Sequence, residues 1–116
     1  MYTIESLLEM LRSNPENVSF DDCIAVIDAN YEFTPTAFRN GMLVNNAGEN
    51  NGSCKIFAFA KLQGLDKTQT LHCFGDYYRK DVLGSPDGDD HQNIRNFMQT
   101  GWSTLGFDGV ALAARS

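Results

Sequence analysis

The sequence predicts an α+β fold, with about five helices packed on a small antiparallel sheet. Three observations carry that expectation. Ile4, Leu7, Leu8 and Leu11 recur at helical spacing and form one apolar stripe. Asn40-Gly41, a pair favoured in tight hairpins, separates two short runs rich in β-forming residues. The tail from Gly101 to Leu112 alternates apolar and polar residues around an Asp108-Gly109 turn signal.

Taken in order, the first helix opens at Thr3 as N-cap and stops near Pro15. Ser19-Phe-Asp-Asp22 resembles a capping box and opens a second helix, with Phe20, Cys23, Ile24, Ile27 and Tyr31 facing inward. Phe33 to Phe38 reads as a strand, kept short or at an edge by Pro35, and Met42-Leu-Val44 as its return. Asn45 to Gly52 is a polar loop. Ser53 is then expected to cap a central helix that runs through Phe57 and Phe59 to Gly64. Leu65 to Leu83 reads as one helix with Leu71, Phe74, Tyr78 and Val82 on its core face. Gly75 inside it calls for a reason, most simply the close approach of another backbone. Asp89 or Asp90 is expected to cap a last helix carrying Ile94, Phe97 and Met98, closed by Gly101. Phe57, Phe59, Phe74, Phe97 and Trp102 are the expected large core groups. The tail should supply one or two strands that join the hairpin. Residues 1–116 suit a single domain with one core.

Charge narrows the function classes. The chain carries a net charge of −6, and residues 1–30 set six carboxylates against Arg12 alone. Such a body repels phosphate backbones, so neither nucleic acid nor an anionic membrane is an expected partner. No apolar run is long enough to span a bilayer, and no basic-then-apolar leader opens the sequence. Cys23, Cys54 and Cys73 are odd in number and widely spaced, which reads as reduced thiols rather than a disulfide framework or zinc site.

Residues 71–95 gather the most chemistry, including both histidines. His72 and Asp76 share a helix face, as do Asp76 and Lys80. A cysteine–histidine enzyme could draw on Cys54 or Cys73 with His91 and Asp76. His72, Asp76, Asp90 and His91 are metal-ligand types, but they show neither HEXXH spacing nor a calcium-loop ladder. Gly48 to Lys55 departs from the phosphate-loop spacing. The plainer reading of the cluster is an ion-pair network among Asp76, Arg79, Asp81, Asp90 and Arg95. No cofactor and no metal are expected.

Asn50 to Leu62, Cys73 to Arg79, Asp90 to Met98 and Gly101-Trp102 resemble the HopJ type III effector family. The resemblance implies one small bacterial domain and a label drawn from secreted effectors. It implies no activity and no catalytic residue. The label implies secretion into a host cell. Type III signals, however, are generally mobile and poor in early acidic residues, whereas residues 4–11 are a patterned helix holding Glu5 and Glu9. The bacterial cytoplasm is therefore the expected location.

The resulting expectation is a small acidic, non-enzymatic domain that binds a protein partner or a small anionic or zwitterionic ligand. The site is expected where the 45–53 loop meets the histidine-bearing stretch. Its candidates are Asn50, Asn51, Ser53, Lys55, His72, Asp76, Arg79 and His91. The alternative is an enzyme using the His72, Asp76 and His91 region.

Overall fold

The computed structural model describes residues 2–115. Helix α1 spans Ile4–Ser13. The Thr3 hydroxyl accepts the Ser6 amide, and the Ser6 hydroxyl accepts the Thr3 amide. Leu7 and Leu11 are buried, and Ile4 and Leu8 flank them partly buried. A single 3-10 turn, Pro15–Asn17, leads to α2, Phe20–Asn30. Its start is the Ser19/Asp22 capping box that the sequence predicts.

Strand β1, Tyr31–Phe33, leaves α2 without a loop and pairs antiparallel with the C-terminal β5, Leu112–Ala114. β2, Phe38–Asn40, pairs with both β3, Leu43–Asn45, and β4, Gly106–Phe107. The strand expected across 33–38 is thus divided between two small sheets. Proline has no amide to give to a ladder. Around Pro35 the chain leaves one sheet and enters the other. The tail joins the hairpin region as expected, one of its strands to each sheet. The hairpin turn is Gly41-Met42, with Gly41 in the left-handed region at φ +63.

Helix α3, Asn51–Gln63, buries Ile56, Phe57, Ala58, Phe59 and Ala60 in succession and runs through the centre. It begins two residues before the expected Ser53 cap. Asn50, at φ 52, stands before it and offers no side-chain cap, and Gly64 ends it. The single helix expected over 65–83 is broken. α4, Lys67–His72, opens with an Asp66/Gln69 capping box, and a wide π-helical segment follows at Tyr77–Val82. Gly75 sits between them at φ +62, where a Cβ would lie 2.6 Å from the backbone nitrogen of Phe20. The close backbone approach is present, and the left-handed residue it requires is what breaks the helix. α5, Gln92–Thr100, is preceded by His91 at φ 50, not capped by Asp89 or Asp90. That correction has a direct cause. Asp90 is turned to Arg95, 2.5 Å away, and Arg95 also holds the Ser85 carbonyl.

The core centres on Phe57, whose ring centroid lies 6.1 Å from Phe38, 5.3 Å from Phe74 and 4.9 Å from Phe97. Trp102 is half-buried rather than enclosed. It packs edge-on against Phe97, and its indole N–H donates to the Leu65 carbonyl.

Gly75→Ala should cost about 2–5 kcal/mol, from the left-handed backbone and the forced retreat of α2. Chemical denaturation measures this. A midpoint that barely moves would show that the two backbones can separate freely.

Candidate functional site

Four asparagines form a network at the candidate site, and two of them, Asn50 and Asn93, line its hollow. Asn93, in the first turn of α5, accepts from Asn40 at 3.1 Å and from Asn45 at 3.2 Å through its amide oxygen. Its own NH2 donates to Asn45 Oδ1 at 3.0 Å, and Asn50 donates to that same oxygen at 2.7 Å. Asn40 also donates to the Asn93 carbonyl. Asn40, Asn45 and Asn93 are buried, so this network fixes β2, β3, the start of α3 and the start of α5 relative to one another.

The hollow has a volume of about 500 Å3. One side is polar, made by Asn50, Gly52 and Ser53 at the start of α3 and by His91, Gln92 and Asn93 at the start of α5. Phe20, Phe74 and Tyr77 line another side, with Leu43 and Ile94 adding apolar surface. No lining residue is a carboxylate, although the protein is strongly acidic.

The helix starts differ in a consistent way. α1, α2 and α4 each satisfy their first amides with a reciprocal capping box. α3 and α5 have no side-chain cap, and both follow a left-handed non-glycine residue. Asn50 and His91 are the positive-φ residues other than glycine among the described residues, and both line the hollow. Two uncapped helix N-termini, each with partial positive charge, therefore meet at one cavity.

The expected site residues divide. Asn50, Ser53 and His91 share the hollow, whereas Asn51, Lys55 and His72 do not line it. Lys55 pairs with Asp28 at 2.8 Å and lies over the Phe33 ring. Asp76 and Arg79 line a neighbouring hollow beside Glu16, Asp21 and Asp81. Arg79 is a tie rather than a free cation, donating to the carbonyls of Pro15, Val18 and His72. It also lies 3.1 Å from His72 Nδ1, and since a guanidinium can only donate, that nitrogen accepts. Burial and the Arg79 charge lower the His72 pKa. His91 Nε2 lies 3.0 Å from Asp81 and 3.7 Å from Asp90, and its ring is tilted against Tyr77. Arg95, foremost by its hydrogen bond, holds the Asp90 carboxyl below the usual range.

The thiols are poorly placed for nucleophilic work. All three are buried and free. Burial raises the Cys54 pKa, and its thiol faces the Thr36 carbonyl. A hydrogen bond with Cys23, together with burial, pushes Cys73 well up. Such cysteines stay protonated near neutrality. Among the described residues no group of three or more His, Cys, Asp or Glu side chains is placed to hold a metal ion, and no helix is long and apolar enough to cross a membrane.

A family model described as HopJ type III effector protein matches residues 4–112. The chain belongs to that family. It is also similar to a crystal structure titled as that of unknown function protein VPA0580. The TM-score is 0.96 and the identity 54%, over 98% of this chain and 95% of that one. The likeness establishes the HopJ fold as α+β for this chain. No curated protein matches it.

Sequence reasoning missed Asn40, Asn45 and Asn93, and with them Phe20 and Tyr77 as part of the hollow. The asparagine-rich loop was visible, but three of the four network members lie within strands or a helix, where asparagine is an unfavoured choice. That misplacement was the available signal.

Two outcomes are expected. Asn93→Ala strands the buried amides of Asn40 and Asn45 and should cost on the order of 3 kcal/mol. A loss below about 0.5 kcal/mol by denaturant titration would place the network outside the stabilising core. For His72 the folded pKa lies below the unfolded value, so the unfolded chain binds the extra proton. Stability from the neutral ring is fully present above about pH 6.5 and is lost as pH falls from there towards the depressed folded value. Subtracting the stability profile of His72→Gln should reveal that step, and a flat difference would contradict it.

Proposed function

We propose that this HopJ protein is a small non-enzymatic binding domain whose hollow between α2, α3 and α5 takes a small ligand with an anionic group. The observation that carries the reading is the meeting of two uncapped helix starts at one cavity. The free amides of such turns point outward and favour negative charge. Three features support it. The hollow is free of lining carboxylates on a protein of net charge −6. An imidazole stands at its edge. The asparagine network holds both helix starts in place, so a bound anion would meet a preorganised site at little ordering cost.

The arrangement of the histidines gives the enzymatic reading no support. His72 is engaged with Arg79 and Tyr78, and His91 with Asp81 and Tyr77. Neither imidazole ring lines the hollow that Asp76 lines.

Titrating the 15N-labelled protein with acetate and with inorganic phosphate tests this reading. Saturable amide shifts are expected at Gly52, Ser53, Gln92, Asn93 and Ile94. His91→Asp sets a carboxylate at the start of α5 and should weaken the binding about tenfold or more. Shifts that are absent, or that rise linearly over the whole surface, would refute the proposal.

A further inference from the structure

We infer that the body of the ligand is a flat aromatic ring, which makes the preferred ligand class small aromatic carboxylates. The inference rests on the anion-binding reading of the hollow and adds the part of the ligand that lies away from the helix starts. The support comes from the aromatic side chains that line the same hollow as the helix starts. Phe20 and Tyr77 meet edge to face at 5.2 Å, and Tyr77 and His91 lie 5.2 Å apart with their planes 39° from parallel. Phe20 in turn stacks near Phe74 at 6.5 Å. These four rings form a continuous run along the hollow, which begins with a buried side chain and ends with a half-exposed one.

Tyr77 is the informative member. It is 45% exposed, yet it belongs to the run rather than standing apart from it. A phenol ring held between Phe20 and His91 and still 45% exposed leaves aromatic surface for a ligand ring to meet. Gly52 sets where the ring run meets α3. A Cβ there would lie 2.9 Å from Phe20 Cζ, so the absence of a side chain lets the Phe20 ring lie close against the first turn of α3. The ring run and the free amides are thereby held within one cavity of about 500 Å3, which exceeds the volume of a single benzene ring bearing a carboxylate. A carboxylate at the helix starts would direct the rest of a small molecule towards the rings. A planar ring gains offset or edge contacts there that a saturated ring of the same carbon count cannot make.

The test compares benzoate, cyclohexanecarboxylate and acetate on the full chain by amide shift titration. Benzoate should bind about three- to tenfold tighter than cyclohexanecarboxylate, the range that an aromatic pair contributes beyond area burial. Tyr77→Leu should erase most of that ratio, and Tyr77→Phe should keep it. If cyclohexanecarboxylate binds as well as benzoate, the aromatic-body inference is overturned and the anion reading stands. If none of the three carboxylates moves the amides of 52–53 and 92–94 saturably, the anion reading fails and the inference falls with it. A ratio unchanged in a folded Tyr77→Leu variant would also overturn the role of the ring run.

Discussion

The arrangement around the hollow depends on one buried polar contact, the Asn93 side chain shared between the two strands of the hairpin. A buried amide without partners costs on the order of 1–3 kcal/mol, so the three buried asparagines, Asn40, Asn45 and Asn93, are tolerable only in an arrangement that pairs nearly all their groups. Here that arrangement has β2, β3, α3 and α5 meeting in one register. Among the described residues a single buried side-chain atom, Asn40 Oδ1, is left without a partner. An apolar cluster at the same place could slide by a fraction of an ångström and keep its burial. A hydrogen-bonded one cannot slide, and this is how the starts of two helices far apart in sequence are held over the same cavity.

Arg79 performs the corresponding task on the other side of the Gly75 break. Its guanidinium collects carbonyls from the 3-10 turn, from the residue before Ser19 and from the end of α4. Two of those carbonyls also accept turn amides, Pro15 from Val18 and His72 from Gly75. One planar donor group with several N–H bonds ties these three turn carbonyls together. The charge that looked free to bind a ligand is therefore spent inside the fold.

The legible parts of the sequence were those governed by near neighbours. Thr3 with Ser6, Ser19 with Asp22, and the apolar stripe of α1 depend on three or four residues of spacing, and the structure matches them. Gly75 was legible as a backbone contact but not as a helix break, because the contacting residue, Phe20, is 55 positions away in the numbering. Asn50 and His91 were misplaced for a related reason. A left-handed residue before a helix is not encoded by a strong local signal when it is not glycine. Tertiary bonds from Asn45 and Asp81 accompany those two conformations. At the candidate site, local chemistry identified Asn50, Ser53 and His91, whereas only the folded chain shows that Lys55 and Arg79 are already engaged.

The division of the β-structure into two sheets bears on the order in which the chain folds. β1 follows α2 directly, yet its only ladder is with residues 112–114, in the register Tyr31 to Ala114 and Phe33 to Leu112. Every other pairing in the fold can be sampled earlier in synthesis, while this one needs closure of a loop spanning most of the sequence. Such a contact contributes strongly to contact order and rewards the chain late. Until β5 emerges, Tyr31 and Phe33 lack the strand they pair with in the fold. The β1–β5 ribbon is therefore a closing seam, the strand pairing that joins residues 31–33 to the C-terminal end of the chain.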